Sequence, residues 1–183
     1  MIEIVKSTTE AEDINGLQFV CKALSKDETR PFLMVVHIEK RKGGITAVAT
    51  DGSRLHLAEL AIDIAPGDYS PVITKTSIIL KPLLNVTFPN WRRVVPLAGS
   101  DLAVLDIPMS DKKQVKSARL TRQLVTVFEH TRQAIDIGFL DDLSAGVWKL
   151  VGSTGTSKAI LFIQGEKGKE RNAVIMPLSL NAA

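Results

Sequence analysis

The sequence predicts an α+β fold, made of β-strands with a few short helices. From Glu12 to Ser25, the apolar residues Ile14, Leu17, Cys21 and Leu24 recur at helical spacing. Runs such as FLMVVHI and ITAVAT are apolar and rich in β-branched residues, and the last forty residues contain three apolar runs separated by turn formers. The 183 residues, 45% hydrophobic and 23% charged, match a globular protein with one core or two small ones.

In the first half, FLMVVHI, the turn KRKGG and ITAVAT predict a β-hairpin after the first helix. The stretch ATDGSRLHLAEL, residues 49–60, supplies a third strand. Its alternation changes phase after Leu57, which predicts a β-bulge near Ala58 and Glu59. APGDYSP then predicts a loop, and TKTSIILKPLL predicts a short helix that ends near Pro82.

The proline-bracketed segment FPNWRRVVP predicts an extended connection between two units, residues 1–92 and 93–183. DLAVLDI predicts a strand, whereas SARLTRQLVTVF fits a helix or a strand. AIDIGFLDDLSAG predicts a strand followed by a short helix, with the acidic pair Asp141 and Asp142 at the helix N-terminus. VWKLVGS, KAILFIQG and AVIMPLSL predict a terminal β-meander.

No residue set for catalysis, metal binding or a cofactor is found in the sequence. Cys21 is the single cysteine, which excludes a disulfide within the chain and a cysteine-based metal site. His37, His56 and His130 lack the spacing of a zinc site or of a nucleophile–base pair. GSTGTSK lacks the phosphate-loop pattern, so an enzyme with an unrecognised site has no acid, base or nucleophile set to support it.

The N-terminal MIEIVKSTTEAED lacks the features of a signal peptide, and no run reaches membrane-spanning length, so a cytoplasmic protein with no membrane partner is expected. The formal net charge is +3, with much of the excess in DKKQVKSARLTR. This segment has two interpretations: a patch that faces phosphates, or a solvated loop and helix face.

Three segments, ATDGSRL, FPNWRRVVP and AVIMPLSL, resemble in this order signature segments of the bacterial DNA sliding clamp, the beta subunit of DNA polymerase III. The first 64 residues resemble the start of the family's middle domain, and residues 134–180 resemble the end of its last domain. Nothing corresponds to the family's first domain. The resemblance implies a shortened member with a DNA-clamp (processivity-factor) type of fold in two small units.

The resemblance also implies a hydrophobic pocket that binds short partner peptides carrying leucine and aromatic anchors. Arg54 would form part of its wall, with the guanidinium available to the peptide. Departures at Ser53, Asn90, Trp91 and Ser179 imply a different peptide preference. The implied pocket residues are Thr50, Gly52, Arg54, Leu55, Pro89, Arg93, Val94, Val174, Met176, Pro177, Leu178 and Leu180.

The implied function is that of a sliding-clamp-like processivity factor without enzymatic activity. The implied partners are DNA polymerase, the clamp loader and other proteins carrying clamp-binding motifs, together with double-stranded DNA inside a homo-oligomeric ring. An alternative is a clamp-like peptide-binding adaptor or decoy that never encircles DNA. The candidate DNA contacts are Lys22, Lys26, Lys112, Lys113, Lys116, Arg119 and Arg122.

Overall fold

The computed structural model describes residues 1–107, 113–143, 145–153, 158–166 and 168–178. The chain divides into two compact units. Unit 1 comprises Met1–Trp91 with Glu166–Arg171, and unit 2 comprises Arg92–Gly165 with Asn172–Ala183. Among the described residues, no helix is both long and apolar enough to cross a membrane.

Unit 1 is an antiparallel sheet with one helix packed on it. Its strands lie in the order β1-β6-β5-β2-β3-β4. The elements are β1 (Ile2–Val5), α1 (Ala11–Cys21), β2 (Val36–Arg41), β3 (Gly44–Thr50), β4 (Arg54–Leu60), β5 (Gly67–Ile73) and β6 (Ser77–Leu83), with a 3-10 turn at Pro31–Leu33.

Helix α1 packs closely on strand β4, and its predicted presence is confirmed. A Cβ atom at Gly16 would lie 2.6 Å from the Leu60 side chain, so a larger residue here would force Leu60 to move. The Asp13 carboxylate accepts a hydrogen bond from the backbone N–H of Ala61 at 2.8 Å. The helix ends at Cys21, earlier than predicted, because the next three N–H groups bond three positions back and tighten the last turn.

The predicted hairpin of β2 and β3 is confirmed, but the predicted bulge in β4 is wrong. Strands β3 and β4 pair without a register shift from Ile45–Leu60 to Thr50–Leu55. Both faces of β4 are buried, so apolar residues at successive positions need no bulge to reach a core.

The predictions of a loop at APGDYSP and a helix at TKTSIILKPLL are also wrong, because both segments belong to paired strands β5 and β6. The prolines that suggested otherwise lie where each strand has a neighbour on one side only. Pro71 lies beyond the end of the β2 pairing, and Pro82 lies beyond the β1 pairing. A proline is tolerated there because no ladder hydrogen bond is lost.

Unit 2 contains a smaller sheet, in the order β10-β9-β8-β7, with two helices. The predicted strand DLAVLDI and the terminal meander are confirmed, and the ambiguous SARLTRQLVTVF is helical. The elements are β7 (Ala98–Ile107), α2 (Lys113–Thr131), α3 (Ile137–Asp141), β8 (Gly146–Ser153), β9 (Ile160–Gln164) and β10 (Arg171–Ile175).

Two local predictions fail in the second half of the chain. FPNWRRVVP is not extended throughout, because Trp91–Arg93 forms a 3-10 turn. The predicted strand before α3 is absent, and the acidic pair lies at the end of that helix, with Asp141 as its last residue and Asp142 as its C-cap. The N-cap is Asp136, whose carboxylate accepts a hydrogen bond from the N–H of Gly138 at 2.7 Å.

Candidate functional site

The first motif forms a tight turn between β3 and β4, built by side chain to backbone hydrogen bonds. The Thr50 hydroxyl donates to the Arg54 carbonyl at 2.6 Å and accepts from the Gly52 N–H at 3.1 Å. Asp51, a turn residue outside the implied pocket set, accepts from the N–H groups of Ser53 and Arg54 at 2.8 and 3.0 Å. Gly52 has a φ of +96°, which favours glycine. The motif therefore encodes a rigid turn.

Arg54 binds groups within unit 1, contrary to the expectation that its guanidinium is available to a ligand. Its Nη2 donates to the carbonyl of Lys22, the C-cap residue of α1, at 2.8 Å. Its Nε lies 3.2 Å from the Asp51 carboxylate. A helix ends with carbonyl groups that lack intrahelical partners, so this contact ties α1 to the turn. Leu55, the next residue, is buried against the same turn.

The second motif is anchored to β2 by the aromatic residues on each side of Pro89. The Phe88 ring stacks on His37 at 5.0 Å with an interplanar angle of 3°. The Trp91 indole N–H donates to the Glu39 carboxylate at 3.2 Å. These anchors hold Pro89 at the surface of unit 1, and the spacing of aromatic residues in FPNW is the signal that could have identified them.

The third motif follows β10 in unit 2 and ends in exposed apolar side chains. Val174 is buried, whereas Met176 and Leu178 are 40% and 49% exposed. The Leu178 N–H donates to the carbonyl of Ala134 at 2.8 Å, which holds this segment beside the end of α2. Pro177 is half-buried between them.

The predicted pocket residues therefore form two groups, one in each unit. In unit 1, Thr50, Gly52, Arg54 and Leu55 share one turn, and Pro89 is exposed at the surface. In unit 2, Arg93 and Val94 are exposed, and the residues from Val174 to Leu178 are contiguous. Leu180 lies outside the described residues. The formation of one pocket by all three motifs stays a prediction.

The candidate DNA contacts differ in exposure. Lys22 and Lys26 are exposed after α1, and Arg122 is exposed on α2. The Arg119 side chain is only 11% exposed, and its guanidinium lies 3.7 Å from the Asp141 carboxylate. Lys112 lies outside the described residues, and only the backbone of Lys113 and Lys116 is described.

Two titratable groups of unit 1 lie in environments that favour their neutral forms. Burial lowers the pKa of His56 to about 3, and its Nδ1 hydrogen-bonds to the Phe19 carbonyl at 2.8 Å. Burial also raises the pKa of the Cys21 thiol to about 12. Among the described residues, no group of three or more His, Cys, Asp or Glu side chains could hold a metal ion.

An exposed apolar surface on α2 was missed at the sequence level. Val125 and Phe128 are 51% and 46% exposed, one helical turn apart. They border a cleft of about 280 Å³ that Leu124, Ala134 and Ile135 also line. Their spacing could have identified this face once the segment was assigned to a helix.

No protein-family model matches the chain. A curated relative, the beta sliding clamp of Treponema pallidum (strain Nichols), is 31% identical over 113 residues, covering 45% of this chain and 30% of the relative. Because 45% of 183 residues is fewer than 113, the alignment includes gaps on the side of this chain. The sequence similarity is therefore partial.

Solved sliding clamps share the fold over nearly the whole chain. The DNA polymerase III beta subunit of Borrelia burgdorferi gives a TM-score of 0.65 at 13% identity, covering 98% of this chain and 63% of that one. That of Thermotoga maritima gives 0.63 at 16%, covering 98% and 65%. The Pseudomonas aeruginosa clamp gives 0.60 at 18%, covering 94% and 66%.

The chain thus spans 30% of the length of its curated relative and just under two thirds of the solved clamps. The similarities confirm the predicted resemblance to the bacterial sliding clamp family and the predicted α+β, clamp-type fold. The 183 residues of the chain thus share the fold of sliding clamps, and their sequence similarity to a sliding clamp is partial.

Proposed function

We propose that this chain is a sliding-clamp-like processivity factor that binds partner proteins through short peptides. The order of the three motifs on a clamp-type fold carries this proposal, because each motif alone has an ordinary structural explanation. The proposed partners are DNA polymerase, the clamp loader and other proteins with clamp-binding motifs. The role is a binding function in the cytoplasm and requires no catalytic residue.

Exposed apolar side chains within the motifs support a peptide ligand with apolar anchors. Val94, Met176 and Leu178 are all more than a third exposed, although each belongs to a mainly apolar run. A flexible methionine beside aliphatic side chains suits a groove that accepts leucine and aromatic anchors. Burying two such anchors, at about 1.5 to 3 kcal/mol each, supplies about 3 to 6 kcal/mol, so the peptide's backbone and polar contacts must add at least about 2 kcal/mol to reach a micromolar dissociation constant.

A fluorescence polarisation titration with a labelled peptide carrying a leucine and an aromatic anchor tests this proposal. We expect saturable binding, weakened about tenfold or more by Met176→Ala, since the substitution removes apolar contact area. Val147→Ala is the matched control, because Val147 is an exposed apolar residue of β8 outside the motifs. Absence of saturable binding at about millimolar protein would exclude a functional pocket.

The proposed assembly is a homo-oligomeric ring around duplex DNA, in which three copies of a two-unit chain supply six units. Phosphate contacts then come from exposed lysines such as Lys22 and Lys26. A ring is retained on circular plasmid after loading and slides off the same plasmid once it is linearised. Equal retention on both forms would refute encirclement and leave the peptide pocket untouched.

The second candidate function is a clamp-like adaptor or decoy that binds the same peptides without encircling DNA. The exposed face of α2 favours it, because Val125 and Phe128 are exposed and apolar, and such side chains make no contact with phosphates. Equal plasmid retention, or none, together with peptide binding would support this candidate.

A further inference from the structure

We propose that the exposed face of α2 is a self-association surface that binds the same face of a second copy, with the two helices antiparallel. This α2 stripe consists of Ala118, Thr121, Val125 and Phe128, flanked by Arg122 and Glu129. The inference goes beyond the peptide-binding function and rests on the second candidate function, the adaptor, because a face of α2 covered by a second copy cannot also face DNA in a ring.

The spacing of the stripe is that of a helix-pairing seam. Its four members are separated by three, four and three residues, the heptad spacing of helices that pack along their length. The opposite face of α2 already packs inside unit 2, where Leu120, Gln123 and Val127 are buried. The helix is therefore apolar on two sides, and the described residues of unit 2 cover only one of them.

Charge complementarity identifies a second copy in antiparallel orientation as the occupant. When Val125 of one helix packs against Phe128 of the other, the antiparallel register brings Arg122 of each helix close to Glu129 of the opposite helix. The twofold symmetry of the pair therefore gives two such ion pairs. In a parallel pair, Arg122 of one helix and Glu129 of the other would lie on opposite flanks of the seam and could not pair. Neither Arg122 nor Glu129 forms an ion pair with another described residue, so both are available for the cross-pair.

The cleft beside the stripe provides space for an apolar side chain of the second copy. It measures about 280 Å³, and its lining by Leu124, Val125, Phe128, Ala134 and Ile135 is mainly apolar. When Val125 packs against Phe128 of the opposite helix, the ring of that Phe128 lies at the edge of this cleft. The cleft lies wholly within unit 2.

Sedimentation velocity of the full chain, from about 10 to about 500 µM, tests the proposal, since a single helix pair is a small interface that dissociates in this range. We expect a concentration-dependent dimer. Val125→Asp should weaken the dimer at least about tenfold because it places a charge in the seam. Val147→Asp is the control, because Val147 is similarly exposed at 56% and lies on β8.

A charge exchange tests the antiparallel register. Arg122→Glu and Glu129→Arg should each weaken the dimer about tenfold, because each single change opposes like charges across the seam. The double variant should restore the dimer to within about threefold of the unmodified chain. Circular dichroism of each variant separates loss of association from loss of folding.

Three results would overturn the proposal: an unmodified chain that is monomeric throughout, a dimer that Val125→Asp leaves unchanged, or a dimer that Val147→Asp weakens equally. Failure of the double charge exchange to restore association would exclude the antiparallel register. The peptide titration is a separate measurement on a separate surface, so either result can fail alone.

Discussion

Acidification should destabilise unit 1 through its buried histidine, His56. The ring is fully buried and stacks on Phe19 with centroids 4.2 Å apart and an interplanar angle of 4°. Its Nδ1–H donates to the Phe19 carbonyl, so the neutral ring has its proton on Nδ1. A second proton would place a charged N–H at the buried Nε2, which has no partner among the described residues.

The low pKa of this ring has identifiable causes. Desolvation by burial is the largest and lowers the pKa to about 3, from an ordinary value of 6.5. The hydrogen bond to the Phe19 carbonyl opposes this shift, and the positive charges of Arg54 and Lys22 add to it. Between these two pH values, the unfolded chain binds more protons than the folded chain.

The sign and size of the effect follow from this difference in proton binding. The free energy of unfolding should fall as pH falls from 6.5 towards 3, by at most about 1.4 kcal/mol for each pH unit. Between pH 7 and pH 5 the expected loss is about 2 kcal/mol, while most carboxylates remain ionised. That loss is a large fraction of the stability of a small domain.

Urea denaturation at pH 7 and pH 5 measures the loss, and hydrogen exchange of the β4 amides assigns it to unit 1. His56→Gln keeps a hydrogen-bond donor and cannot titrate, so it should reduce the pH dependence by about 2 kcal/mol whatever its cost at pH 7. His130→Gln is the control, since His130 is exposed on α2. An unchanged pH dependence in His56→Gln would refute the assignment.

Two further predictions concern unit 1. Gly44→Ala should destabilise the chain by more than about 4 kcal/mol, because its Cβ would lie 1.9 Å from a backbone oxygen at a φ of +148°. Gly43→Ala, with a φ of +82° and open space, should cost about 1 to 2 kcal/mol in the same thermal unfolding experiment. Cys21, whose pKa is raised to about 12, should react with a thiol reagent at least about a hundredfold more slowly at pH 8 than in the unfolded chain. Equal labelling rates in buffer and in urea would contradict that expectation.

Local sequence patterns predicted the elements that are determined by residues close together in the chain. The β2–β3 hairpin follows from two apolar runs around glycines, and the turn before β4 follows from Thr50, Asp51 and Gly52. The strands β5 and β6 were missed because each contains a proline, which argues against a strand. Both prolines are tolerated because the neighbouring strand on one side ends before them. Where that neighbour ends depends on strand order. Strand order is set by contacts between distant residues, and β1, which pairs with β6, was not predicted at all.

The role of Arg54 shows the same limit at the candidate site. Its motif was identified from sequence, but the guanidinium binds the carbonyl of Lys22, 32 residues earlier in the chain. No local pattern specifies that partner, because it depends on where α1 ends relative to the turn. Replacing Arg54 would therefore loosen a helix end as well as alter a proposed pocket wall, and a peptide-binding loss in such a variant needs a stability measurement beside it.

The interpretation of the basic segment, residues 112–122, changes once the exposed and buried faces of α2 are known. Five basic residues between positions 112 and 122 fitted either a phosphate-facing patch or a solvated loop and helix face. Arg119, however, is largely buried beside Asp141, and Arg122 shares its exposed face with Val125 and Phe128. A charge releases counterions from DNA only where it reaches a phosphate, so neither arginine can be counted towards DNA binding from sequence alone. The α2 stripe has the character of a protein-binding surface, and the proposed phosphate contacts are left to the exposed lysines after α1, Lys22 and Lys26.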